Sequence, residues 1–334
     1  MDIQLLDYNL IEVSDKLRRQ CLDALRKLCG RNRILPKSFV LPVDTVRQTS
    51  DEPVAYGGFA DVYQGQFGGS EVALKVLRIH KDATNNIVQE EMATFCREAV
   101  VWKRLRHPNI TPFIGIDETS FPSRIAIVCK WMPYGTVAAY LSRHRAANRP
   151  KLSLDVARGL EYLHGMNILH GDLKSANILV DEQEMACLAD FGLAALFHTS
   201  KAATFSTVAG STRWVAPELF DPEQFGLEKA ENTPRSDVYA LSMVIWEIFT
   251  GRIPFDQHKR DATVMLHVLR GARPQRPAEA TPLGLSDDVW ALMEGCWDAK
   301  WQNRPPLAMT VKRLEEVAKQ FSGGTAPIEW PLPL

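Results

Sequence analysis

The stretch "LHGDLKSANILV", Leu169 to Val180, sets a polar run between apolar residues, with Asp172 and Asn177 in one short loop and Gly171 wedged between His170 and Asp172. Gly, Asp, Ser and Asn are common turn formers, so alone the stretch reads equally well as a surface turn between two buried elements. What it does depends on the company it keeps along the chain.

With 334 residues and 46% apolar side chains, the chain can build a core for one large domain or two ordinary ones. Thirty-nine basic against 40 acidic residues leave a formal net charge of −1, which offers no overall attraction to nucleic acid or to an anionic membrane. The cysteines, Cys21, Cys29, Cys96, Cys129, Cys187 and Cys296, form no CxxC pair and keep no regular spacing. That argues against a zinc site or a disulfide framework and for a reduced, intracellular setting, cytoplasmic with the nucleus left open. The opening "MDIQLLDYNLIEVSDKLRRQ" carries acids where a secretory signal would carry bases. The longest apolar stretch, "VYALSMVIWEIF", is shorter than the roughly 20 residues a membrane span needs. No membrane insertion is expected.

In Ser14 to Gly30 the residues Leu17, Cys21, Ala24 and Leu28 recur at helical steps between charged neighbours, predicting an amphipathic helix stopped by Gly30 and Pro36. It is expected to dock on the main domain or on a partner. From Thr49 to Val76, "VAYGGFADVYQGQF" and "EVALKVLRI" are β-branched and aromatic runs broken by glycines, as hairpin strands are. Gln89 to Leu105 has helical spacing, and "RIAIVCKWM" reads as a further strand. Beyond Gly135 the pattern is mostly helical, in "LSLDVARGLEYLH", "SDVYALSMVIWEIFTG", "ATVMLHVLRG", "DDVWALMEGCW" and "LAMTVKRLEEVAKQF". In the second of these, Ser236 suits an N-cap and Gly251 a C-terminal stop, and the residues between are apolar nearly all round. Asp237 is then a buried acid that needs donors. The end, "SGGTAPIEWPLPL", is rich in Gly and Pro and reads as a loose tail.

Four further features join the opening stretch in chain order: Lys75 in "VALKVL", Glu98 in "FCREAVVW", Asp190 in "ADFGLA" and Glu218 in "VAPELF". With these the sequence resembles the protein kinases from about Pro53 to Phe321, and "SDVYALSMVIWEIFTGRIPF" and "GCWDAKWQNRPP" look most like the tyrosine-kinase-like group, whose members mostly act on Ser and Thr. The resemblance implies an α+β fold of two lobes, a β-rich N-lobe with one main helix and a larger helical C-lobe. It sets a helical extension over 1–46, a kinase domain over 47–321 with lobes of about 47–131 and 135–321, and the tail over 322–334.

The implied activity is transfer of the γ-phosphoryl group of ATP to Ser or Thr of a protein, with Mg2+ or Mn2+. Asn177 and Asp190 would supply hard oxygen ligands to the cation. Lys75 would hold the phosphates and Glu98 would orient Lys75. Asp172 would accept the proton of the attacking hydroxyl, and Lys174 would neutralise charge growing on the transferred group. Val62 and Ala73 would roof the adenine over a floor at Leu179, with Cys129 as gatekeeper and the backbone of Lys130 and Met132 pairing the adenine edge. On the substrate side, Glu218 would pair with Arg304, Asp237 of the buried helix would belong to the same peptide-binding architecture, and Ser211 stands where Ser/Thr kinases have the Thr that bridges the catalytic Asp and Lys.

Two departures stand out. The glycine loop of the family, G-x-G-x-x-G-x-V, reads here "AYGGFADV", with Gly57, Gly58 and Phe59 kept at its tip but Ala55 and Ala60 in the outer glycine places. This leaves a catalytically weak scaffold as one alternative. The second departure is Gly171 in place of the usual Arg; "HGD" also heads the catalytic loop of small-molecule phosphotransferases, the other alternative. Without that Arg, a phosphate on Thr199, Ser200, Thr204, Ser206 or Thr207 lacks its usual partner, and Lys201 and Arg213 remain as cations to receive it. Activity is therefore expected not to require that phosphate, and control is expected to fall to the Lys75–Glu98 helix or to the N-terminal extension.

Overall fold

Two units divide the chain, the first formed by the residues up to Arg106 with Thr111–Trp131, the second by His107–Ile110 and most of the chain from Met132 onward. The computed structural model describes residues 15–56, 60–78, 86–191, 210–323 and 326–333. Among them no helix is long and apolar enough to cross a membrane.

The first unit opens with helix α1 (Asp15–Asn32), followed by strands β1 (Val46–Gln48), β2 (Ala55–Tyr56), β3 (Ala60–Phe67) and β4 (Ser70–Leu77). Helix α2 (Asn86–Trp102) and strands β5 (Phe113–Asp117) and β6 (Ala126–Lys130) complete it. The strands make one antiparallel sheet in the order β1-β3-β4-β6-β5, with β2 added on β3. Gly68 and Gly69 turn the β3–β4 hairpin at φ of 57° and 81°, a conformation that side chains resist. Side chains alternate across the pleat, so Val72, Leu74 and Val128 face one way and are fully buried in a cluster with Val46. The other face carries two cross-strand rows, Val62–Lys75–Ile127 and Gln64–Ala73–Cys129.

Helix α2 buries Phe95, Ala99 and Val100, and Trp102 stacks edge-on against Phe95 at 6.2 Å. Helix α1 packs on α2 within this unit. The structure corrects two readings of α1. The helix runs through Gly30 to Asn32 and stops at Arg33, whose φ is 55°. Among the described side chains of α1, Leu25 and Cys29 are buried, whereas Leu28 is 59% exposed. The reason for both is one close approach: a Cβ on Gly30 would lie 2.5 Å from Arg97 Cγ and 3.1 Å from the Ala93 carbonyl. Glycine here serves the seam between helices rather than a helix end, and it selects the stripe next to it as the buried one.

The second unit contains α3 (Val137–Arg143), α4 (Arg149–Gly165), the β7 (Ile178–Val180) and β8 (Ala186–Leu188) ribbon, and the short α5 (Pro217–Phe220). Then come α6 (Pro234–Thr250), α7 (Asp261–Leu269), α8 (Asp287–Cys296) and α9 (Leu307–Gln320). Helix α6 is buried from Ser236 to Thr250 and serves as the post to which the loops are tied. Its N-cap is Thr233 rather than Ser236. Pro234 follows at the start of the helix, and Ser236 closes a reciprocal box with Thr233, Ser236 N to Thr233 Oγ1 at 3.2 Å and Thr233 N to Ser236 Oγ at 2.8 Å. Gly251 ends the helix at φ 70°.

The tail is not loose where it is described. Leu332 is 1% exposed and its N–H donates to Thr250 O at 2.9 Å. The Trp330 ring lies over Gly251 and receives the Arg149 guanidinium at 4.7 Å from its centroid. These anchors in a Pro-rich segment outweigh its loop-like composition.

Candidate active site

In the second unit the stretch around Asp172 is held from beneath by α6. Asp237, 2% exposed, accepts His170 N at 2.9 Å and His164 Nε2 at 2.8 Å on one oxygen and Gly171 N at 3.0 Å on the other. The donors that a buried acid requires thus come largely from the backbone of the loop itself. Gly171 is at φ 74°, which explains the glycine in the opening stretch as backbone chemistry: the loop turns through the left-handed region between His170 and Asp172. His170 is fully buried, and that burial pushes its imidazole below the ordinary value despite Asp237, Asp172 and Asp190 nearby.

Asp172, Lys174, Asn177 and Ser211 come together. Lys174 Nζ lies 2.9 Å from Asp172 Oδ2 and donates to Ser211 Oγ at 2.7 Å. Asn177 Nδ2 donates to Asp172 O at 2.7 Å and to Asp172 Oδ2 at 3.0 Å. Ala189 N donates to Asn177 O at 2.9 Å, which sets Asp190 one residue beyond the contact, at φ 61°. A non-glycine residue held in that region marks a segment over-determined by its surroundings.

A residue that the sequence reading does not single out binds this cluster to the segment after Ser211. Glu247 of α6, 5% exposed, accepts Ser175 Oγ at 2.7 Å, Ser175 N at 3.1 Å and Trp214 Nε1 at 2.6 Å. Burial pushes its carboxyl up to about 7, against the pull of these donors and of Lys174. The only signal in the sequence is a lone acid inside "VIWEIF". Further along, Arg304 and Glu218 form two parallel bonds of 2.6 Å with side chains 0% and 3% exposed. Arg213 does not stand ready for an anion. Its guanidinium donates to the carbonyls of Pro254, Phe255 and His258 and lies 3.6 Å from Asp261 Oδ1.

Leu179 lies on β7 opposite Cys187, and the carbonyl of Met132, a residue 5% exposed, accepts Gly135 N at 3.0 Å. Thr199, Ser200, Lys201, Thr204, Ser206 and Thr207 lie outside the described residues, as do Gly57, Gly58 and Phe59.

In the first unit, Lys75 shares the sheet face with Val62, Ala73 and Cys129, while Lys130 N pairs with Pro112 O at 3.0 Å. Ala55 and Ala60 lie in β2 and β3 with ordinary negative φ, so the glycine conformation is not called for at either place. Glu98 is buried on α2 at 7% exposure. The sequence reading sets it beside Lys75, but its ion pair is with Arg26 of α1, at 3.1 Å. The difference arises because the docked α1 brings a guanidinium to a buried carboxylate. Burial pushes the Glu98 carboxyl up, and Arg26 and Arg97 pull it back.

Residues 49–314 match the profile of the family described as protein tyrosine and serine/threonine kinase. Over 86% of its length the chain is 29% identical to serine/threonine-protein kinase STY17 of Arabidopsis thaliana, covering 49% of that protein. It is 31% identical to serine/threonine-protein kinase STY46 of the same plant, covering 80% of the chain and 44% of the relative. A probable serine/threonine-protein kinase, drkD of Dictyostelium discoideum, is 34% identical over 80% of the chain and 20% of the relative. The chain thus spans half or less of the length of these relatives.

Proposed function

The chain belongs to the protein tyrosine and serine/threonine kinase family, and from that membership we propose that it transfers the γ-phosphoryl group of ATP to Ser and Thr hydroxyls of protein substrates, as a tyrosine-kinase-like enzyme of the cell interior. Residues 47–321 form the catalytic domain in this reading, with 1–46 before it and 322–334 after it. The observation that carries it is Lys174, whose ammonium is shared between Asp172 at 2.9 Å and Ser211 at 2.7 Å.

Asp172 is the base. Its contacts with Lys174 and Asn177 both fall on Oδ2, which leaves Oδ1 to receive the proton of the incoming hydroxyl. Lys174 stays beside it to meet the charge that grows on the transferred oxygens. The Ser211 bridge sets the platform close to Asp172, a reach suited to the short side chains of Ser and Thr.

Mg2+ or Mn2+ fits the donor set, because Asn177 spends its NH2 on Asp172 and has its amide oxygen to offer, and Asp190 adds a carboxylate. When bound, the cation neutralises phosphate charge. Asn177 and Asp190 would hold that position, while Lys75 would bind the phosphates of the nucleotide and Glu98, when not held by Arg26, would orient Lys75. By family resemblance Val62, Ala73, Cys129 and Leu179 would line the adenine, the backbone of Lys130 and Met132 would pair its edge, and Gly57, Gly58 and Phe59 would belong to the phosphate loop. Glu218, Arg304 and Asp237 keep the substrate platform in place.

The test is to incubate the purified chain with γ-labelled ATP and a generic basic protein and to identify the labelled amino acid. Asp172→Asn is expected to lower turnover by roughly 100-fold or more with nucleotide binding kept. Asp190→Asn is expected to weaken metal-dependent nucleotide binding. Parental turnover in both variants overturns the catalytic reading, mainly phosphotyrosine overturns the specificity, and label on a metabolite but not on protein overturns the protein substrate.

A further inference from the structure

Four residues of α1 and its end that touch α2 or lie in its seam, Arg26, Cys29, Gly30 and Arg33, follow the i, i+3, i+4, i+7 spacing of one helix face. Gly30 lets the backbones meet, Cys29 is buried, and Arg33 Nη1 donates to Gln89 Oε1 at 2.6 Å. Arg26 completes the row on Glu98, the residue that the proposed mechanism needs beside Lys75.

The quality of the Arg26 contact matters. Glu98 is buried, and a buried carboxylate demands a cation. Yet Arg26 answers through one nitrogen to one oxygen at 3.1 Å, and its Nε is buried with no hydrogen-bond partner. The Arg304–Glu218 pair, by contrast, uses both nitrogens and both oxygens at 2.6 Å. The second pair is closed on both carboxylate oxygens, whereas the first holds Glu98 by one.

Resting on the proposed role of Glu98 toward Lys75, we propose that α1 is a built-in restraint on phosphoryl transfer, in which Arg26 competes with Lys75 for Glu98 and displacement of α1 raises turnover. Removing the guanidinium does more than free Glu98. It leaves a buried carboxylate without the group that bonds it, since Arg97 acts on it through charge alone, and in the proposed mechanism Lys75 is the cation that takes that place.

Arg26→Ala and Arg26→Gln in the full chain test this, with Arg26→Lys as the conservative control and Arg33→Ala as a variant that loosens α1 without touching Glu98. Turnover on a basic protein, KM for ATP, and the rate at which Lys75 is acylated by an acyl-phosphate analogue of ATP are measured beside Tm. Arg26→Ala and Arg26→Gln are expected to raise kcat/KM for ATP roughly 5-fold or more and to speed acylation of Lys75, Arg33→Ala to do so less, and Arg26→Lys to stay near the parent. If the parent transfers phosphate but the Ala, Gln and Arg33→Ala proteins, folded with Tm near the parent, work no faster, the restraint is refuted and the kinase reading stands. If neither the parent nor any variant labels protein, the kinase reading itself falls and takes the restraint with it.

Discussion

Glu247 holds Ser175 by two bonds at once, its Oε1 accepting the hydroxyl at 2.7 Å and its Oε2 the backbone N–H at 3.1 Å. With Trp214 Nε1 on the same Oε2, one buried carboxylate fixes the residue after Lys174 and the third residue after Ser211. The Lys174–Ser211 contact lies between two segments that share this single post.

Such a carboxylate should write its signature into stability. Burial raises Glu247 from 4.5 to about 7, so between these values the folded chain keeps a proton that the unfolded chain has lost. Its contribution is full below pH 4.5 and is lost as pH rises through about 7. Relative to Glu247→Gln, which does not titrate, the parent is expected to lose on the order of 3 kcal/mol across that window. Urea unfolding of both proteins at pH 5 and 7.5 measures it, and parallel pH dependences would refute it.

Arg304 is 1% exposed and spends its guanidinium on Glu218, Asp298 O and Arg235 O. Arg304→Met strands a buried carboxylate and is expected to cost about 3–5 kcal/mol of unfolding free energy. Adding Glu218→Gln to it should return a measurable part of that loss. A double variant no more stable than the single one would show that Glu218 is not the group left in difficulty.

Gly171 carries the turn before Asp172 at φ 74°. Gly171→Ala is expected to cost about 1–2 kcal/mol of stability and to lower kcat more than KM, because the strain falls on the backbone that aims Asp172. Equal stability and kcat in the two proteins, by urea unfolding and steady-state kinetics, would count against this account.

The same glycine brings no guanidinium beside Asp172, and Arg213 is committed to three carbonyls. Replacing Thr199, Ser200, Thr204, Ser206 and Thr207 together with Ala is therefore expected to leave turnover within a few-fold of the dephosphorylated parent. Turnover as low as that of Asp172→Asn would show that a phosphate there is needed.

The fold is legible because its chemistry is ordered along the chain: Lys75, Glu98, Asp172, Asn177 and Asp190 stand in textures, strand, helix and loop, that the pattern already separates. What stays hidden depends on partners distant in sequence. Glu247 reads as an oddity in an apolar helix until Ser175, 72 residues away, and Trp214, 33 away, turn up on its two oxygens. Arg26 is one of several bases on a charged helix until Glu98, also 72 residues away, makes it the one that matters. Gly30 reads as a stop signal because a helix-breaking residue and a residue pressed against a neighbouring helix have the same letter. The tail reads as loose for a related reason, since Trp330 and Leu332 find their anchorage far off in sequence, at Arg149 and Thr250.

The close approach at Gly30 also makes the seating of α1 all-or-none. A shift by one residue turns a helix by about 100° and would drive the side chain of Cys29 or Arg31 into a space where even a Cβ would sit 2.5 Å from Arg97 Cγ. No neighbouring register is open to it, so α1 cannot creep along α2 and grade its hold on Glu98. It is either indexed at Gly30, with Arg26 arriving one turn earlier at the carboxylate, or it is off. A signal that reaches this helix would be read as a step, and a population of molecules would answer it by the fraction seated.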